Sequence, residues 1–488
     1  MNKPLRHIAI FCGLLVLALL IRANWLQYVE AEELNTHDRN RRVLIDRYAS
    51  ERGNIIVDGK PITGSVKTDD TDYVYKRTYV NGPMWAPVTG YASQAFGANQ
   101  IEKLEDGILT GNSDQLFFDN TMAMFTGDQK KGGNVVTTLN GAAQTAAFKG
   151  LGTKKGAVAA IEPKTGKILA LASTPSYNPG SFAGYGKSDA DAWKRLESDD
   201  KNKPMLNRAL REVYPPGSTF KVLTAAAALE HGEVDDINAP TDTPEPWILP
   251  DTTLPMKNLV SGCENASLKR AMEISCNSVF AKLGAGVGRD KMVETAEKFG
   301  FNNPEIDTPV RVAASRYDKE MDRSSNALSS IGQFNTATTP LQMAMVTAAI
   351  ANDGKLMKPY MIDQLEAPNL DVIEKTEPQE MSRPISQKTA QQVQDMMENV
   401  VSSGSGKRAQ IGNVTVGGKT GTAQHGENNS KLPYAWFISY AKTDGGSPVA
   451  VAVIVESDDS VARDDITGGG LAAPIARDVM KAVLDSKE

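Results

Sequence analysis

Ser218 and Lys221 stand three residues apart in YPPGSTFKVL (214–223), behind two prolines and a glycine. Such a run makes a turn and starts a helix, with Ser218 in its first turn. Residues i and i+3 of a helix share a face, with Cβ atoms about 5–6 Å apart, and the helix N-terminus carries partial positive charge. The pair is either a nucleophile with its base or an ordinary helix start. Ser-x-x-Lys alone does not decide, because roughly one or two copies arise by chance at average residue usage. Two further motifs bear on the choice: Ser275-Cys276-Asn277 in MEISCNSVFAKLG, and Lys419-Thr420-Gly421-Thr422 in VTVGGKTGTAQ. Acyl transfer to a serine needs a base, an oxyanion hole and a grip on the substrate. Only four histidines are present. His7 and His37 fall in or near a terminal apolar segment, His231 closes a helical pattern and His425 follows the lysine motif. A Ser-His-Asp triad is hard to build from these, though His231 and His425 stay open as alternatives. A lysine serves as base when burial and a neighbouring cation lower its pKa.

Ser-x-x-Lys, Ser-x-Asn and Lys-Thr-Gly in that order resemble the active-site signature of penicillin-binding proteins and serine β-lactamases. The resemblance implies Ser218 as nucleophile, Lys221 as its base and Lys419 as the nearby cation. It implies an oxyanion hole from the backbone N–H groups of Ser218 and Thr422 and a proton relay through Ser275. Asn277 would hydrogen-bond the substrate peptide and Lys221, while Lys419, Thr420 and Thr422 grip a terminal carboxylate. Gly421, lacking a side chain, would let substrate backbone lie along its strand. The structural alternatives are turn or cap roles for Ser275 and Asn277 and an exposed strand position for Lys419. No metal and no organic cofactor is implied.

These residues need elements to hold them. Apolar runs flanking Glu162–Gly166 predict a hairpin over 155–173, and YAWFISYAKTDGGSPVAVAVIVES (434–457) predicts a second. The segment 414–424 reads as an adjoining strand. Between these ends lie helical patterns at 218–231, 267–283, 289–299, 340–352 and 386–402. The first is apolar nearly all round and is expected to be a buried central helix stopped at Gly232. Strands at both ends with helices between predict an α+β fold, an antiparallel sheet flanked by helices with a helical subdomain. Upstream, RGNIIVDGKPI reads as a short strand and hairpin, and YVNGPMWAPVTGY (79–91) as turn-rich.

At 488 residues, with 53 basic against 59 acidic side chains and a net charge of −6, the chain is long enough for two or three domains. It has no long basic run, which argues against nucleic acid. Lys3 and Arg6 precede fourteen apolar residues, Ile8–Ile21, followed by Arg22, Trp25 and Tyr28. A cleaved signal peptide is the rival, but no small-x-small cleavage site follows, and Trp25 and Tyr28 suit a membrane interface. The expected organisation is a cytoplasmic tail (1–7), a transmembrane anchor (8–26), a pedestal domain (27–145) and a catalytic domain (146–488). VEAEELNTHDRNRR (29–42) would be a polar stalk, and everything past the anchor would lie outside the cytoplasmic membrane. Cys12 lies in the anchor; Cys263 and Cys276, with twelve residues between them, are either a disulfide of an oxidising compartment or two buried thiols.

Along most of its length the chain is similar to monofunctional class B penicillin-binding proteins. RGNIIVDG resembles the start of their pedestal, and AVAAIEPKTGKILALASTPSYNPG and NRALREVYPPGSTFK resemble the opening of their transpeptidase domain. SSIGQFNTATTPLQMAMVTAAIANDGKLMKPYM (329–361) is similar to another of their blocks, with Phe334 where a glycine is common. The compact pedestal and residues 79–91 look most like the actinobacterial PbpA type. The resemblance implies D,D-transpeptidation of peptidoglycan D-Ala-D-Ala stem peptides onto an acceptor amine, acylation by β-lactams, and pedestal contacts with cell-wall synthesis proteins. A D,D-carboxypeptidase would use the same residues with water as acceptor. A β-lactamase would need a water-activating segment that is not found between the second and third motifs, and a non-catalytic sensor or scaffold stands as the reading from another class.

Overall fold

The computed structural model describes residues 3–36, 41–116, 130–426, 429–456 and 461–487. Residues 1–2 of the expected tail, and 37–40 of the expected stalk with His37, lie outside the described residues.

Two hairpins and an added strand build the central sheet, as the apolar runs around their turns predict. Its antiparallel order is Thr415–Ala423, Tyr434–Thr443, Gly446–Glu456, Lys155–Ile161 and Ile168–Thr174. Successive side chains of a strand point to opposite faces, and here both faces are dry. Ala450, Ala452 and Ile454 face one core with Ala157 and Ala159, under the apolar helix Pro340–Ala351 and the helix Lys221–Glu230. Val449, Val451, Val453 and Val455 face the other with Val158 and Ala160, under the helices Gly141–Leu151 and Ala473–Asp485. Burial on both sides explains why these strands read as continuous apolar runs. Thr339 caps the helix Pro340–Ala351 by accepting from Gln342 N.

The helical subdomain differs from expectation at one point that matters for the site. The single pattern over 267–283 is two helices, Leu268–Ile274 and Asn277–Val287, separated at Ser275 and Cys276. Ser275 sits in the left-handed region with φ 66°. That conformation is costly for a residue with a Cβ, so the break places Ser275 at a helix junction.

A second five-stranded sheet runs Val372–Lys375, Ile362–Glu366, Asn134–Thr137, Ile55–Val57 and Lys60–Pro61. It takes strands from both sides of the expected boundary at 145, because Ile362–Glu366 pairs antiparallel with Asn134–Thr137. Beside it the hairpin Thr63–Lys67 and Tyr75–Tyr79 rests on a buried ion network. Arg52 and Arg77 each donate to the Glu102 carboxylate at 2.7 Å, and Arg52 also reaches Asp106 at 2.7 Å. The turn-rich reading of 79–91 is corrected: Gly82–Thr89 is a helix, begun with Pro83 at its first turn and burying Trp85, Ala86 and Val88. Proline fits a helix start because its missing N–H would have no partner there.

Lys3–Tyr28 is one exposed helix of 26 residues, long and apolar enough to cross a membrane. At 1.5 Å per residue it spans about 39 Å, beyond the roughly 30 Å hydrocarbon core of a bilayer.

Candidate active site

The nucleophile turn is wedged between the helical block and the edge strand. Tyr214 and Thr338 exchange backbone hydrogen bonds at 2.9 and 2.8 Å, Gly217 N donates to Gly332 O at 3.0 Å, and Trp436 Nε1 donates to Pro215 O at 3.0 Å. Gly217 has φ 53°, and a Cβ on Gly332 would lie 2.1 Å from Gly217 O. The crossing therefore requires glycine on both sides. Gly217–Thr219 forms a 3₁₀ turn ahead of the helix Lys221–Glu230, leaving Ser218 half-buried. Among the described residues Ser218 makes no hydrogen bond, through its N–H or its hydroxyl.

Lys221 is fully buried. Its Nζ donates to Asn277 Oδ1 at 2.7 Å, Ser275 O at 2.8 Å and Ser275 Oγ at 3.3 Å. Sharing a helix face with Ser218 thus does not bond the two; the second motif holds the lysine instead. Lys419, also buried, comes from the strand Thr415–Ala423 and donates to the same Ser275 Oγ at 2.9 Å and to Thr420 O at 3.0 Å. Ser275 Oγ is the atom on which both lysines converge, and the left-handed backbone at the helix junction carries it there. Burial first, and then the positive charge of Lys419, push Lys221 well below the usual lysine range. Burial alone lowers Lys419 to about 7. Desolvation penalises an ammonium, so each lysine gains neutral form near neutral pH.

Thr420 Oγ1 meets Ser405 Oγ at 2.6 Å. Gly421 has a different reason from the one its motif suggests. A Cβ there would lie 2.9 Å from Thr219 Cγ2 and 3.1 Å from Pro216 O, so the glycine lets the nucleophile turn lie against the strand. Thr422 is part of the same contact, its carbonyl oxygen 3.0 Å from where a Gly217 Cβ would stand. Cys276 turns away from the site and is joined to Cys263 by a disulfide, with Cα atoms 5.6 Å apart. Phe334 adopts φ 58°, the left-handed region that favours glycine. Neither open histidine reaches Ser218. His231 pairs with Thr295 Oγ1 at the far end of the helix, and His425 stacks on Tyr434 and bonds Leu432 O. Sequence reasoning missed Ser405, Gly332 and Asn258, whose partners lie 15, 115 and 19 residues away in sequence. Local pattern carries no signal for such contacts.

Residues 156–481 match the penicillin binding protein transpeptidase domain, and residues 52–135 match the penicillin binding protein A dimerisation domain. The chain belongs to the penicillin-binding protein transpeptidase family. Within it, this penicillin-binding protein is 40% identical to the peptidoglycan D,D-transpeptidase PbpA of Mycolicibacterium smegmatis, over 99% of each chain. It is 39% identical to the Mycobacterium tuberculosis protein of the same name, over the full length of both. The structure of penicillin-binding protein A from M. tuberculosis as a ceftriaxone acyl-enzyme complex superposes with a TM-score of 0.84, at 38% identity over 90% of this chain and 100% of that one. The two matched segments lie on either side of the helix Gly141–Leu151, which packs on the central sheet. The fold is that of the class B penicillin-binding proteins.

Proposed function

We propose that this chain is a membrane-anchored peptidoglycan D,D-transpeptidase acting through an acyl-enzyme on Ser218. The observation that carries the reading is the meeting of two buried lysines from different elements on Ser275 Oγ, one of them three residues after Ser218, whose hydroxyl makes no hydrogen bond among the described residues. Full-length kinship with the two D,D-transpeptidases supports it.

In the proposed chemistry, neutral Lys221 takes the Ser218 proton as Oγ attacks the carbonyl carbon of a D-Ala-D-Ala peptide bond. The N–H groups of Ser218 and Thr422 stabilise the oxyanion. The C–N bond breaks, and the proton passes through Ser275 to the departing D-Ala amine. Thr420, Thr422 and Lys419 hold the terminal carboxylate, and Asn277 holds the peptide. An acceptor amine from a neighbouring strand then attacks the ester, forming the cross-link and returning the proton to Ser218. A β-lactam enters by the same first step and stays as a slowly hydrolysed ester. The chain is divided as tail 1–7, anchor 8–26, pedestal 27–145 and catalytic domain 146–488, with the N-terminus cytoplasmic and the site outside. The pedestal positions the catalytic domain and offers a surface to cell-wall synthesis proteins.

The test is intact-protein mass of the detergent-solubilised full chain during incubation with benzylpenicillin, beside Ser218→Ala. A lasting one-to-one adduct in the wild type and none in the variant is expected. An adduct that survives Ser218→Ala, or no adduct in the wild type, refutes the assignment.

A further inference from the structure

Asn277 begins a helix whose capping residue cannot cap it. The N-cap position of Asn277–Val287 is Cys276, whose sulfur is in the disulfide, so the first N–H groups of the helix lack a local acceptor. Asn258 supplies that acceptor from another segment. Its Oδ1 accepts from Asn277 N at 2.7 Å and from Ser278 N at 3.0 Å. Its Nδ2 donates to Ser278 Oγ at 2.9 Å and to Glu245 Oε1 at 3.2 Å. The amide is thus used at both ends, and the requirement for a donor on one side and an acceptor on the other fixes its orientation. The neighbouring Lys257 carbonyl accepts from Asn277 Nδ2 at 2.9 Å. Main chain and side chain of two consecutive residues therefore hold Asn277 while its Oδ1 faces Lys221 Nζ. Farther along the same loop, Cys263 ties the segment to Cys276.

We propose that Asn258 is a positioning residue for acylation, a cap in trans that sets Asn277, and through it Lys221, at the working distance from Ser218. The inference rests on reading Ser218, Lys221 and Asn277 as the acylation site. Removing the cap frees the first turn of the helix to shift, and misplacement by about an ångström costs up to roughly a hundredfold in rate.

The test measures the rate of adduct formation by benzylpenicillin on the full chain in detergent, across drug concentrations, so that the saturating rate constant and the apparent affinity are obtained separately. The fraction of protein finally acylated is recorded as well. Asn258→Ala is expected to lower the saturating rate constant by about ten- to a hundredfold while the acylated fraction stays complete. A purely structural role would instead reduce that fraction and leave the rate constant of the folded molecules alone. The paired variant Asn258→Asp with Glu245→Gln keeps the acceptor for both N–H groups and reverses the donor facing residue 245. It is expected to recover to within about threefold of wild type. An unchanged rate constant in Asn258→Ala, a loss confined to the acylated fraction, or failure of the paired variant to recover overturns the proposal. Absence of acylation in the wild type, or its persistence in Ser218→Ala, marks failure of the underlying site instead.

Discussion

Replacing Gly421 by alanine adds one methyl group to the contact between the edge strand and the nucleophile turn. The new Cβ would lie 2.9 Å from Thr219 Cγ2, 3.1 Å from Pro216 O and 3.2 Å from Thr219 N, where ordinary contact begins near 3.4 Å. Two of these neighbours are backbone, and Thr219 is buried with its hydroxyl bonded to Pro216 O at 2.8 Å. None can swing away, so the turn that carries Ser218 must move by about half an ångström. Overpacking of this kind costs about 1–3 kcal/mol. If about an ångström of misplacement costs a hundredfold, half of that should slow acylation roughly tenfold. The assay is benzylpenicillin adduct formation with thermal unfolding alongside, and Gly445→Ala serves as control because its nearest neighbour would be 3.9 Å away. Acylation and unfolding by Gly421→Ala at the control's values would refute the account of why glycine is required here.

Two other expectations follow from buried charge. Burial works to raise the Glu102 pKa, but Arg77 and then Arg52 hold it below the usual carboxylate range. Glu102→Gln leaves buried guanidinium charge without its carboxylate and should destabilise the chain by about 3–5 kcal/mol; an unfolding midpoint within error of wild type would show the network to be dispensable. Lys419 titrates at about 7 when folded and near 10.4 when unfolded. The unfolded chain therefore binds more protons across that interval, and stability should rise with pH between them, the cost being fully present below 7. Lys221, also depressed, acts with the same sign. Denaturant midpoints at pH 7 and 9 should show the rise in wild type and a smaller one in Lys419→Met; equal slopes would mean Lys419 is not buried as a cation.

The sequence by itself determined the parts whose signal is local. Apolar runs on either side of a turn marked the hairpins at 155–173 and 434–457, because strands buried on both faces carry apolar residues without interruption. Helical periodicity marked 340–352 and 386–402, and the order of the three motifs named their chemistry before any contact was known. Only the tertiary structure decided which atoms meet. Lys221 bonds Ser275 and Asn277, 54 and 56 residues away, in preference to the serine on its own turn. The 267–283 pattern conceals a break because its apolar spacing continues across Ser275, whose left-handed backbone ends one helix before the next begins. Gly421 looked like room for substrate, and its close neighbours turn out to be Thr219 and Pro216. The strand Ile362–Glu366 joins Asn134–Thr137 across more than two hundred residues. Contacts of this range depend on how complete elements pack, and no window of local sequence contains both partners.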